Sequence, residues 1–172
     1  GQKAYSALSS EGKLNILVFG GSQGAQILSH VVPRAIASLS GKLKSRLTLT
    51  QQCRTEDLDQ AQNIYDAANI QTNLQPYFNN MPELLSATNL VIARAGASTI
   101  SELVAAKRPA ILVPYPHATD DHQTANASAI TSSGASWCLP EHTFTADRLA
   151  RKIQELMDNP NLLADAAAKS KC

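Results

Sequence analysis

Short apolar runs of strand length recur along this chain, each separated from the next by a longer stretch of helical periodicity. That alternation constrains the fold more than any other feature, because it predicts a parallel sheet covered by helices on both faces. Six runs qualify as strands, at residues 14–20, 46–52, 73–78, 90–94, 110–115 and 135–139. Several are almost continuously apolar, as strands buried on both faces are. No Asn-Gly or Asp-Gly hairpin signal occurs between them.

The intervening stretches carry the helical signals. Residues 25–39 place Ile27, Leu28, Val31, Val32, Ala35, Ile36 and Leu39 on one side at helical spacing. Further helices are expected at residues 57–68, 81–87 (with Pro82 in the first turn), 98–106, 122–133 and 145–157. Gly134 stands where a C-cap belongs, Pro160 stands where a helix cannot continue, and residues 161–172 form an Ala-rich helical stretch. Residues 1–13 resemble a linker, and residues 14–172 are expected to make one domain, with a fragment boundary at either end.

Composition excludes several functions. Fifteen Lys and Arg against fourteen Asp and Glu leave no cationic excess for nucleic acid or an anionic membrane. Aromatic residues at 5% make a poor base-stacking surface. No apolar run approaches the roughly 20 residues that span a bilayer, and residues 1–13 lack the apolar core of a signal peptide. The three cysteines, Cys53, Cys138 and Cys172, match no metal-ligand spacing. A reduced, cytoplasmic chain is the simplest reading, with Cys53, Cys138 and Trp137 in the core.

Three segments can carry chemistry. The first, Gly20-Gly21-Ser22-Gln23-Gly24-Ala25, joins the first strand to its helix. Glycines there let a ligand approach the backbone, and the first free helix amides attract an anion such as phosphate. The same glycines can equally serve only a tight turn. Neither a P-loop nor a dinucleotide fingerprint is present. The second segment, Arg94-Ala95-Gly96-Ala97-Ser98-Thr99-Ile100-Ser101-Glu102, repeats the design after the fourth strand. In a doubly wound sheet two such turns flank the switch point and can share one anion. Ser98 or Thr99 can cap the helix, and Glu102, a turn further in, can accept from two ribose hydroxyls or belong to a capping arrangement without ligand. The third segment runs from Pro114 through His117, Asp120, Asp121 and His122 to Asn126. Its spacing fits no standard zinc or calcium site. Gln123 and Asn126 can offer amides to a polyhydroxylated ligand or simply face solvent. No Ser-His-Asp or Cys-His grouping can be assembled.

Together these segments resemble glycosyltransferase family 28, the MurG-type N-acetylglucosaminyltransferases of peptidoglycan synthesis, in its C-terminal domain. The resemblance runs from Leu14 to about Ala168. It implies a Rossmann-like doubly wound parallel six-stranded sheet, one half of a GT-B glycosyltransferase, which binds the donor UDP-N-acetylglucosamine. It places Gly21, Ser22, Gln23 and Gly24 on the diphosphate, and Phe78, with Met81 nearby, at the uracil edge. Gly96, Ala97, Ser98, Thr99, Ile100 and Ser101 line the second phosphate turn, Arg94 neutralises charge, Glu102 holds the ribose, and Gln123 and Asn126 meet the sugar. The implied reaction inverts the anomeric centre without metal or other cofactor. Catalytic groups and the lipid-linked muramoylpeptide acceptor would belong to an N-terminal domain outside this chain, on the cytoplasmic face of the membrane. Rival readings are another GT-B transferase, a UDP-sugar epimerase, or a nucleotide-sugar-binding subunit that completes a site in trans.

Overall fold

The computed structural model describes residues 4–6, 8, 11–116 and 122–170, with residues 21–25 described by backbone only. Fold class follows the apolar pattern. Strands β1 (Leu14–Phe19), β2 (Leu47–Gln52), β3 (Gln71–Gln75), β4 (Leu90–Ala93), β5 (Ala110–Leu112) and β6 (Ser136–Cys138) form one sheet in the order β3-β2-β1-β4-β5-β6. Every pairing is parallel. The order reverses direction between β1 and β4, and in sheets of this kind the carboxyl ends of the two strands at such a switch point flank the ligand crevice.

Among the described residues, α1 (Gly21–Ala37), α2 (Gly41–Lys44), α3 (Thr55–Ala67), α4 (Met81–Ser86), α5 (Ala97–Ala106) and α6 (His122–Ser132) connect the strands, and α7 (Ala146–Asp158) and α8 (Asn161–Lys169) follow the last of them. One face of the sheet packs Ile16, Val18 and Leu49 against Leu28, Val32 and Ile36 of α1, Tyr65 of α3, and Leu149 and Ile153 of α7. The other packs Leu17, Phe19, Val91 and Ala93 against Leu85 of α4, Leu103 of α5, and Ala127 and Ile130 of α6. The central strands β1 and β4 are thereby covered on both sides, which is why their sequences are nearly all apolar.

Departures from the expected boundaries have local causes. The expected third strand is displaced: β3 ends at Gln75, before Pro76, and Phe78 lies in the loop beyond it. An edge strand of alternating Gln, Thr and Asn has little apolar signal to mark it. Helix α1 starts at Gly21 instead of residue 25, so the glycine-rich segment is itself the first helical turn. The short α2 is capped by Ser40, whose hydroxyl accepts from the Leu43 amide. Gly134 takes φ +85° two residues after α6 ends, as its expected C-cap role requires. Tyr5 and Leu8 pack against the apolar core, and the Tyr5 hydroxyl donates to the Asn89 carbonyl at 3.3 Å.

Helices α1 and α3 are joined by a small ionic cluster. Asp57, buried in the first turn of α3, accepts from Arg54 Nε at 2.8 Å and lies 3.3 Å from His30 Nε2 on α1. The Arg54 guanidinium beside it holds its carboxyl below the usual 3.8. Its stabilising contribution is therefore complete above that value and is lost as pH falls through the lower folded value. Asp57→Asn is expected to lower the urea midpoint at pH ~7 and to lose less stability than the wild type on acidification to pH ~3. Parallel acid limbs for the two proteins, measured by urea titration, would contradict this.

Candidate nucleotide-sugar crevice

The segment after β1 and the segment after β4 reach the crevice with the same local chemistry. Gly20 is the residue before α1 and Gly96 the residue before α5, and neither helix start has a side-chain cap or an acidic residue in its first turn. The expected caps Ser98 and Thr99 are not caps: they lie inside the helix, whose first internal bond runs from the Ile100 amide to the Gly96 carbonyl at 3.0 Å. The remaining first-turn amides of α5 therefore keep their donor capacity, backed by the positive end of the helix dipole. Elsewhere, α2 and α7 do carry side-chain caps, from Ser40 and Thr145.

Gly96 is informative because nothing in the fold demands it. Its backbone sits at φ −65°, ψ 154°, open to any residue. Among the described residues, a Cβ built there would meet only Gln123 Nε2, at 4.0 Å. Ala97 and Ser98 are exposed, Thr99 and Ile100 half-buried. Ser101 is exposed, whereas Glu102 is half-buried with a carboxylate that makes no hydrogen bond or ion pair among the described residues. A carboxylate so placed keeps its acceptor capacity for a ligand.

Gln123 and Asn126, in the first turns of α6, do more than line a loop. Gln123 Oε1 accepts from the Tyr115 amide at 2.8 Å and from the Ala95 amide at 3.2 Å. Asn126 Nδ2 donates to the Ala95 carbonyl at 3.0 Å. The two amides thus staple the β5–α6 loop to the turn that follows β4. Gln123 Nε2 has no hydrogen-bond partner among the described residues and remains a donor beside Gly96.

Arg94 departs from its expected place. It is buried, donating to the carbonyls of Val113 and Pro114, both at 3.2 Å, and to Glu141 Oε1 at 2.7 Å. Its guanidinium lies 5.2 Å from the Tyr115 ring centre. A charge buried against a carboxylate and two carbonyls is an internal clamp, and phosphate is left to the helix termini.

Phe78 is half-buried in the loop that follows β3. Met81, at the start of α4, packs on the apolar cluster that contains Phe19, Ala95 and Ile100. Gln52, at the carboxyl end of β2, ties this loop to the first turn: its Oε1 accepts from the Gly20 amide at 3.2 Å and its Nε2 donates to the Pro76 carbonyl at 3.3 Å. The sequence reading missed Gln52 and Glu141. A polar residue closing a strand beside a glycine turn could have marked the first, but nothing local marks the second. The side chains of Ser22 and Gln23, and His117, Asp120 and Asp121 of the third segment, lie outside the described residues. No group of three His, Cys, Asp or Glu able to hold a metal occurs among the described residues. The Asp57-Leu58-Asp59 string lies on α3, with Asp57 taken up by Arg54 and His30.

The strand order and the paired glycine-led helix starts define a Rossmann-like, doubly wound α/β domain of the kind found in GT-B glycosyltransferases. Residues 15–172 match the family model described as the glycosyltransferase family 28 C-terminal domain, and the chain belongs to that family. It is 50% identical over 166 residues to the UDP-N-acetylglucosamine–N-acetylmuramyl-(pentapeptide) pyrophosphoryl-undecaprenol N-acetylglucosamine transferase of Rhodospirillum centenum, a match covering 96% of this chain and 44% of the relative. Identity is 48% over 164 residues to the transferase of the same name from Paramagnetospirillum magneticum, covering 95% and 44% respectively. The crystal structure of Acinetobacter baumannii MurG superposes with a TM-score of 0.82 at 35% identity, over 92% of this chain and 47% of that one. The chain thus spans less than half the length of these relatives.

Proposed function

We propose that this chain binds UDP-N-acetylglucosamine and is the donor half of an enzyme that transfers N-acetylglucosamine to a lipid-linked muramoylpeptide in peptidoglycan synthesis. The observation that carries the reading is the pair of glycine-led helix starts at the switch point, without side-chain caps or first-turn acids, with the Glu102 carboxylate, unpaired among the described residues, one turn inside α5. The names of the relatives support the choice of donor and acceptor.

In this reading the backbone of residues 21–24 and of Ala97 to Thr99 meets the diphosphate. As C1 is attacked with inversion, negative charge grows on departing UDP, and preorganised amides at two helix ends stabilise it without a metal. Glu102 accepts from the ribose hydroxyls. The backbone near Phe78 and Met81 meets the uracil. Gln123 Nε2 donates to a sugar hydroxyl, while its Oε1 is occupied by the two loop amides. The acceptor, the catalytic base and contact with the cytoplasmic face of the membrane belong to the rest of the enzyme. No helix among the described residues is long and apolar enough to cross a membrane.

Titration calorimetry with UDP, UDP-N-acetylglucosamine and UDP-glucose tests the reading. Binding of the first two with a preference over UDP-glucose is expected, and no binding of any of them overturns it. Glu102→Ala is expected to weaken UDP binding by about 1.5 to 3 kcal/mol, the worth of a hydrogen bond to a charged group. Unchanged affinity in a folded variant would remove Glu102 from the ribose site. Glycosyl transfer by the 172-residue chain alone is expected to be undetectable.

A further inference from the structure

The clamp around Arg94 closes on itself. From Arg94, hydrogen bonds lead to Val113 and Pro114 at the end of β5. At the next residue, the Tyr115 ring lies against the guanidinium and the Tyr115 amide donates to Gln123. Gln123 in turn holds the amide of Ala95, the residue after Arg94. Outside this circuit stands Glu141, in the 3-10 turn Glu141–Thr143 after β6, half-buried and 2.7 Å from Arg94 Nη2. Removing that carboxylate takes a charged partner from a buried guanidinium, which weakens the hold of Arg94 on Val113 and Pro114 and slackens the circuit.

We propose that Glu141, acting through Arg94, is a positioning residue that holds Gln123 at the sugar end of the crevice, while the diphosphate turn after β1 is held independently of it. The proposal rests on the donor-site reading above. Its basis is topological: each link joins the ends of β4, β5 and β6 to the start of α6, whereas the turn after β1 is held separately by Gln52.

The test compares the wild-type chain with Glu141→Ala and Glu141→Gln, titrated with UDP and with UDP-N-acetylglucosamine, alongside amide hydrogen exchange without ligand. Glu141→Ala is expected to lower affinity for UDP-N-acetylglucosamine about tenfold, the value of one misplaced hydrogen bond, with a clearly smaller loss for UDP, since only one of the two diphosphate turns adjoins the circuit. Glu141→Gln keeps an acceptor for Arg94 and is expected to fall between, and it carries the comparison if the alanine variant does not fold. Exchange at the Tyr115 and Ala95 amides is expected to rise, with that of Val18 and Leu49 unchanged. Equal losses for both ligands, no loss for either, or unaltered exchange at Tyr115 would overturn the proposal. Failure of the wild type to bind UDP would overturn the donor-site reading, and the exchange measurement would still decide whether the clamp positions Gln123.

Discussion

Gly96→Ala is expected to keep its stability within about 1 kcal/mol of the wild type, and to lose at least about a hundredfold in affinity for UDP. The two halves of this expectation have separate reasons. In the free protein the φ and ψ of Gly96 suit alanine, and an added Cβ comes no nearer than 4.0 Å to any described atom beyond its chain neighbours. The gain of about 0.4 to 1 kcal/mol from the entropy of the unfolded chain is offset by the loss of glycine at the N-cap of α5, where alanine is poorly suited. In the complex that methyl group stands where a phosphate must approach the amides of α5. Loss of two charge-assisted hydrogen bonds, at about 1.5 to 3 kcal/mol each, exceeds 3 kcal/mol and hence a hundredfold. Thermal melting and calorimetry on the same sample check both halves. A folded variant that binds UDP like the wild type would mean that α5 does not present its first turn to the ligand.

The parts of the molecule that read well from sequence are those specified by one-dimensional patterns. An apolar run at 14–19, broken only by Asn15, and a continuous one at 90–93 identify the two strands at the switch point, because a strand covered on both faces needs such a run. Periodic Leu28, Val32 and Ile36 identify α1 for the same reason. What escaped depends on partners far apart in the chain. Glu141 meets Arg94 across 47 residues, and neither position betrays the other in sequence. Arg94 itself reads naturally as a phosphate ligand, since a cation beside a glycine turn usually faces an anion, and only its burial turns it into a clamp. Gln123 shows the opposite case. The residue was legible as a ligand-facing amide, but its division into an oxygen used by the fold and a nitrogen left for the sugar required the positions of Ala95 and Tyr115.

Arg108 lies at the opposite end of the sheet from the crevice, between α5 and β5, and its replacement by methionine is expected to cost about 3 kcal/mol or more in stability without changing ligand affinity. The side chain is 2% exposed and has four carbonyl acceptors: Leu85 at 2.9 Å, Ser86 at 3.2 Å, Ala106 at 2.8 Å and Lys107 at 3.5 Å. These carbonyls come from the C-terminal ends of α4 and α5, where the helix dipoles are negative and favour a cation. Burial pulls its pKa below the ordinary arginine value. The Tyr5 ring closes the site at 5.6 Å, and burial there pushes its hydroxyl up to about 12, against the pull of the Arg108 charge. Methionine fills much of the volume but donates nothing, leaving buried carbonyls unsatisfied at about 1 to 3 kcal/mol apiece. Urea denaturation gives the loss directly, and titration of the folded variant with UDP is expected to match the wild type within about twofold. A loss below about 1 kcal/mol would mean that water replaces the guanidinium at both helix ends, and a change in UDP affinity would mean that α5 transmits its C-terminal environment to the turn at Gly96.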